Sequence, residues 1–345
     1  MLNKIKFKLD KELAAYASCL GQNYKLKEIS PLLTEKIQDY ILRPGKRIRP
    51  TLFILGYLAY AKKSAAGLYR AALSLELLHD FMLVHDDIID KSDLRRGKPA
   101  MHKMFNDYFS RAKGIKFNGQ DLAIIAGDIL YALAMDAFLA VKEKPIRKEK
   151  ALKKLISAAL YTGCGEFIEL ECGIKPIEKI RQEDIYKIYD LKTAYYTFAY
   201  PLSIGAELAG APENQVQKIF NYGVRVGRAF QIKDDILGMF AEEKETGKSV
   251  LSDLQEAKKT LLIWQASHFA KGAAKKQIQQ ILAKNKVLLS DLIKMRELIK
   301  NSGSLDYAQH QIKLLHAQAL EISRTLTIPT TLKKLLLDLS QKILQ

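Results

Sequence analysis

The chain has 345 residues, 48 % of them apolar, with 55 Lys and Arg against 38 Asp and Glu for a formal net charge of +17. Its three cysteines, Cys19, Cys164 and Cys172, form no C-x-x-C pair, which excludes a sequence-legible zinc site or disulfide framework and suits idle or buried thiols in a reducing cytoplasm. The basic balance admits nucleic acid, an anionic membrane surface or an anionic substrate, but the lysines are spread as on a solvated surface and no specific nucleic-acid fingerprint is present.

The first residues, Met1-Leu2-Asn3-Lys4-Ile5-Lys6, contain no apolar leader core, so a cytoplasmic location is expected. Apolar residues recur at spacings of three and four over 65–90, 122–141 and 215–240, which predicts amphipathic helices there. Breaks fall at Arg43-Pro44-Gly45, Arg96-Gly97-Lys98-Pro99, 112–119, Lys144-Pro145, 173–176 and 210–212. The stretch 122–141 is the best candidate for a membrane span. It carries Asp128 and Asp136, so it reads as a core helix and no membrane span is expected. Alternating β patterns are nearly absent and no Ser/Gly linker divides the chain. The expected fold class is therefore all-α, a single bundle of ten or more helices forming one domain over 1–345.

Two acidic clusters carry the chemistry. The first is Asp86-Asp87-Ile88-Ile89-Asp90, followed by Arg95-Arg96; the second is Gln231-Ile232-Lys233-Asp234-Asp235, followed by Lys248 and Lys258-Lys259. Bare carboxylates are costly inside apolar helical sequence, and hard metal ions are the simplest means of neutralising them. On a helix Asp86 and Asp90 share a face while Asp87 lies to the side. That spacing suits Mg²⁺, which takes oxygen ligands, keeps waters and bridges to phosphates. The second cluster alone would read equally well as a bland acidic patch; the basic residues that follow it favour a diphosphate site.

These residues together resemble the trans-isoprenyl diphosphate synthases, the polyprenyl synthetase family. Val84-His85-Asp86-Asp87-Ile88-Ile89-Asp90 with Arg95-Arg96-Gly97 is similar to the family's first aspartate-rich motif. Gln231 to Gly238, Thr246-Gly247-Lys248 and the Asp253 to Thr260 stretch resemble its second. Gly45-Lys46-Arg47-Ile48-Arg49-Pro50 is similar to its GKxxRP segment, and Lys192-Thr193 to its KT pair. Two departures stand out. Gly238 takes the place of a third aspartate, and Glu166 and Glu169 stand where Gln and Asp are usual.

The resemblance implies the isoprenoid synthase fold, a homodimer and a Mg²⁺-dependent prenyltransferase that uses two or three ions, with Mn²⁺ as an alternative. Asp86, Asp90 and Asp234 would hold the metal, supported by Asp87 and Asp235. Arg95, Lys192, Lys248 and Lys258 would contact the allylic diphosphate, with Thr193 and Gln231 either touching substrate, orienting metal ligands or serving ordinary helix polar roles. Gly45, Lys46, Arg49, His79 and Arg96 would hold isopentenyl diphosphate. The implied reaction is head-to-tail condensation through an allylic carbocation.

Met82 lies one turn from Asp86 on the same face. Phe81, at the position where bulk shortens the product in the family, is the candidate floor of the chain-length pocket. A short product is expected, C20 over C15. His85 reads as a core histidine, and Cys164 and Cys172 as small core residues. The rival readings are a terpene cyclase, a squalene-type synthase and a non-catalytic or partner-dependent subunit. The first two would have no use for the GKxxRP segment, and the third would tend to lose the aspartates that this chain keeps.

Overall fold

The structure, a computed structural model, describes residues 1–241 and 251–344, without the side chains of 21–23, 252–253 and 342–344. Helices dominate: α1 (Leu2–Asn23), α2 (Leu26–Ile29), α3 (Pro31–Ile41), α4 (Ile48–Leu58), α5 (Leu68–Ile89), α6 (Met101–Phe109), α7 (Gly119–Leu139), α8 (Pro145–Gly173), α9 (Gln182–Tyr189), α10 (Tyr200–Ala209) and α11 (Glu213–Phe240). Short α12 (Ser252–Gln255) precedes α13 (Leu261–Phe269), α14 (Gly272–Leu282), α15 (Leu289–Asn301), α16 (Ser304–Arg324) and α17 (Thr330–Leu344). A π-helical segment, Asp190–Ala199, joins α9 to α10. Strands are confined, among the described residues, to a ribbon of β1 (Leu94–Arg95) and β2 (Lys98–Pro99), with Leu94 opposite Pro99. The three expected helices are present, and the expected breaks fall at helix ends or between helices, the one at 96–99 running into β2.

Local chemistry sets several boundaries. The Ser30 hydroxyl accepts from the Leu33 N–H at 3.3 Å, and Pro31 begins α3, where a missing N–H is harmless. Asn118 and Asp121 form a reciprocal capping box at the start of α7, with Asn118 Oδ1 accepting from Gln120 N–H at 2.7 Å.

Two compact units are present. The first comprises residues 1–152 and 204–210, the second 153–203 and 211–345. In the first, α5 packs along α7, and α1, α4 and α6 close around them. Most of α5 is buried on all sides, including Ala71, Leu75, Leu78 and Val84, as expected of a central helix. Helix α7 is the described helix long and apolar enough to cross a membrane by length and composition. It packs on α5 and α6 through Ala123, Leu130, Ala134 and Phe138, and leaves Ile124, Ile125 and Leu139 exposed.

In the second unit α11 is central, packed on the π-helical segment and on α16. Gly227 permits the first of these contacts: a Cβ there would lie 2.4 Å from the Ala194 Cα. The Tyr-rich stretch 194–200 serves this packing, with Tyr196 and Phe198 buried and Tyr195 and Tyr200 meeting Phe220 edge-on or tilted. Cys172 is buried as expected, whereas Cys164 is exposed because it faces outward on α8.

Candidate active site

The sequence-derived residues fall into two sets, one in each unit. In the first unit α5 carries Glu76, His79, Asp80, Phe81, Met82, Asp86 and Asp87. Asp90 closes the helix, its N–H bonded to the Asp86 carbonyl at 2.8 Å. Asp86 and Asp90 are partly exposed, one turn apart. Asp87, off to the side, is wholly buried and accepts from Arg95 Nε at 2.8 Å and Tyr40 O–H at 3.3 Å, with Arg95 Nη2 a further donor. Arg95, expected on the allylic diphosphate, is thus held against Asp87.

The β1–β2 turn passes through left-handed backbone at Arg96 (φ 55°) and Gly97 (φ 73°). Arg96 ends 3.4 Å from Asp80 and 3.7 Å from Glu76. Arg47, also left-handed at φ 51°, is buried. Its Nη1 donates to Glu76 at 2.5 Å, its Nε to Asp10 at 3.0 Å and its Nη2 to the Arg43 carbonyl at 2.9 Å. A Cβ at Gly45 would lie 3.2 Å from Arg47 Nη1, so a side chain at this position would press on the pair. Two buried carboxylates one helical turn apart therefore sit among arginines.

Burial and the Glu76 charge push the Asp80 carboxyl well above the ordinary range, against the pull of Arg96, Arg47 and Arg49. Burial, then Arg49 and Arg96, push the His79 imidazole well below its usual value, so His79 enters this basic set as a neutral donor or acceptor. Lys46 is exposed and Arg49 half-buried.

Phe81 lies against His85 (ring centroids 4.7 Å) and edge-on to Tyr131 of α7 (5.4 Å). Met82 is buried beside it in the chain. His85 is not a core residue: it is half-buried at the α5–α7 seam, with Nε2 3.5 Å from the Ile124 carbonyl and 3.9 Å from Asp128.

In the second unit one cavity is lined by Glu169, Tyr189, Lys192, Thr193, Gln231, Asp234, Asp235, Lys258, Lys259 and neighbouring apolar residues. The π-helical segment aims Lys192 at α8, where its ammonium is gripped by Glu166 at 2.5 Å and by Glu169. Burial alone would lower the Lys192 pKa, but Glu169 and Glu166 outweigh it and the net effect is a rise, so the ammonium stays charged.

Thr193 O–H donates to Gln231 Oε1 at 2.5 Å, and Gln231 Nε2 donates to Asp235 Oδ1 at 2.8 Å. The KT pair is thereby wired to the second acidic cluster. Asp235 is buried, and its other oxygen accepts from Tyr189 O–H; Asp234 is exposed. Burial and Asp235 push the Tyr189 phenol well above its ordinary range, so it remains a donor. Lys258 lies 2.8 Å from Glu256. Lys248, with Thr246 and Gly247, lies outside the described residues.

Glu76, Asp80, Arg47, Tyr40 and Tyr189 were not singled out from the sequence. One signal was available for the first three: a Glu and an Asp four apart in an apolar run require buried cations, and Arg47 and Arg96 are within the neighbouring motifs. Tyr189 gave none, because a tyrosine three residues before Lys192 reads as ordinary helix packing.

The polyprenyl synthetase family model matches residues 30–299. A geranylgeranyl diphosphate synthase of Sulfolobus acidocaldarius is 32 % identical over 293 residues, 84 % of this chain and 83 % of its own length. A geranylfarnesyl diphosphate synthase of Aeropyrum pernix is 32 % identical over 297 residues, 85 % of this chain and 87 % of its own. Among solved structures, a Corynebacterium glutamicum geranylgeranyl pyrophosphate synthase complexed with isoprenyl diphosphate and magnesium superposes with a TM-score of 0.90 at 26 % identity, covering 100 % of this chain and 99 % of that one. The fold is the all-α isoprenoid synthase fold. The chain belongs to the polyprenyl synthetase family and is a polyprenyl diphosphate synthase.

Proposed function

We propose that this enzyme is a short-chain prenyltransferase that joins isopentenyl diphosphate head-to-tail to an allylic diphosphate and stops at C20 in preference to C15. The observation that carries the reading is the second-unit cavity, where Asp234 and Asp235 share walls with Lys192 and Lys258. Carboxylates beside ammonium groups suit a cation-bridged diphosphate. The family match crosses both compact units, which supports 1–345 acting as one catalytic domain.

Asp86, Asp90 and Asp234 offer hard oxygens that are partly or fully exposed. Among the described residues no three acidic, His or Cys side chains converge into a closed cage. Such carboxylate oxygens suit Mg²⁺, two or three ions with Mn²⁺ as a substitute, because this ion takes oxygen ligands, retains waters and shares phosphate oxygens. Bound there, the metal supplies neutralisation of the diphosphate charge.

The residues of the chain do the rest. Lys192, Lys258 and Lys248 meet the negative charge that grows as the allylic C–O bond breaks, and Arg95 supports them from its place on Asp87. Thr193 and Gln231 hold Asp235 in line. Lys46, Arg49, Arg96 and neutral His79 orient isopentenyl diphosphate, over the buffer of Glu76 and Asp80. The isopentenyl double bond forms the new C–C bond to the cationic carbon, and the released diphosphate takes the departing proton.

Phe81, fixed between His85 and Tyr131, supports a short pocket with Met82 on the same wall. Incubation with Mg²⁺, labelled isopentenyl diphosphate and C5, C10 or C15 primers is expected to give a C20 alcohol after dephosphorylation. The Aeropyrum pernix relative makes C25 the neighbouring alternative, and the same chromatogram separates the two. Absence of metal-dependent product from every primer would sink the reading. Phe81→Ala is expected to move the main product by at least one C5 unit. An unchanged profile would remove Phe81 from the floor.

The enzyme also acts as a homodimer in this reading, because α7 leaves the large apolar side chains Ile124, Ile125 and Leu139 exposed. Light scattering after gel filtration is expected to give twice the 39.0 kDa chain mass. Ile125→Lys is expected to shift it toward the monomer, and a monomeric wild type would refute this part.

A further inference from the structure

Tyr189 closes α9 and is buried at the junction of three elements. Its hydroxyl donates to Asp235 of α11 and accepts from the Leu261 N–H at 2.8 Å. Leu261 is the first residue of α13, and the first N–H groups of a helix have no partner within it. Thr260 serves the Ile263 N–H, at 3.3 Å, and not that of Leu261. One phenol therefore satisfies both a carboxylate of the second acidic cluster and the end of the helix that Lys258 and Lys259 lead into. Phenylalanine would keep the packing and lose both bonds, leaving a buried N–H and a buried carboxylate oxygen each short of one partner.

We propose that Tyr189 is a positioning residue that couples occupancy of the α11 aspartates to the placement of the Lys258–Lys259 segment. The inference rests on the reading of Asp234 and Asp235 as a cation–diphosphate site. A ligand that draws Asp235 toward it shifts the hydroxyl, and the hydroxyl carries the start of α13 with it. The two lysines then follow the diphosphate rather than waiting at a fixed distance.

The chain supplies its own reporter. Trp264 is its single tryptophan, one turn into α13, with Nε1 donating to the Ile180 carbonyl at 2.8 Å and its ring against His268 at 4.5 Å. The experiment titrates the full-length protein with Mg²⁺ plus inorganic pyrophosphate. Calorimetry reads binding and Trp264 emission reads the response of α13. Wild type is expected to bind and to change its emission. Tyr189→Phe is expected to bind about tenfold more weakly and to lose more than half of the emission change. In turnover it should raise KM for the allylic substrate and leave that for isopentenyl diphosphate within twofold.

Tyr186→Phe is the control for loss of a hydroxyl alone. Tyr186 lies one turn earlier and donates to Gln311 at 3.2 Å, away from Asp235, so both readouts should match wild type. Should Tyr189→Phe fail to fold by circular dichroism, Asp235→Asn approaches the same link from the other end. It keeps the Tyr189–Leu261 bond and is expected to lose the emission change. A folded variant, Tyr189→Phe or Asp235→Asn, with wild-type affinity and emission would overturn the coupling. So would wild-type binding without any change at Trp264. No calorimetric binding to wild type would instead overturn the underlying assignment of the aspartates.

Discussion

Asp86→Ala is expected to lower kcat by about 10³ or more at saturating Mg²⁺ and both substrates, with the fold intact. In the proposed reaction charge separation places new negative charge on the leaving diphosphate, and removing one preorganised partner of such a charge typically costs about 10²–10³ in rate. Asp86 is assigned a metal ligand as well, so the upper end or beyond is expected. Its side chain is partly exposed, and helix α5 does not depend on it for packing. Asp87→Ala should behave differently. That carboxylate is buried on Arg95 and Tyr40, so its loss strands a guanidinium and lowers thermal stability as well as activity. Paired steady-state kinetics and thermal melts separate the two. A kcat within tenfold of wild type for Asp86→Ala would remove it from the metal set.

Glu76→Ala is expected to destabilise the protein by about 3–5 kcal/mol, the usual cost of removing one partner from a buried ion pair. Glu76 is 3 % exposed and receives Arg47 at 2.5 Å with Arg96 at 3.7 Å. Without it Arg47 keeps, among the described residues, Asp10 and a backbone carbonyl as hydrogen-bond acceptors, and the first unit holds one fewer negative charge for the same arginines. Glu35→Ala is the contrasting case. Its pair with Lys36 is formed by a carboxylate that is 69 % exposed, and about 0–1 kcal/mol is expected. Denaturant melts of both variants test the pair of expectations. Equal small shifts would mean that Arg47 finds other solvation and that the buried cluster contributes little.

Periodicity made the helices legible. Runs at spacings of three and four mark α5, α7 and α11 to within a few residues, because each buries a continuous stripe or its whole circumference. The aspartates were legible for a different reason, since charge in apolar sequence demands a partner, whereas the KT pair was legible only through the family resemblance. What stayed hidden was the partner's identity. Arg95 reads as a diphosphate contact from its motif, and its hold on Asp87 is visible only in the fold. Lys192 is likewise legible as a cation but not as one held by two glutamates from α8. The π-helical segment left no trace in the sequence pattern, because one extra residue per turn shifts an apolar stripe without erasing it. His85 and Cys164 were read as core residues from their apolar neighbours, yet His85 is half-buried at the α5–α7 seam and Cys164 is exposed on α8.

That outward-facing thiol has a practical consequence. Cys172 is buried and Cys19 only partly exposed, so a maleimide dye should enter the native protein first at Cys164. Cys164 lies two residues before Glu166 on the helix that grips Lys192, and Trp264 lies on α13. Both are in the second unit, and between them they make an intrinsic donor and an attachable acceptor for energy transfer. The unmutated chain can thus serve as its own optical ruler, reading the separation of two walls of the cavity during turnover.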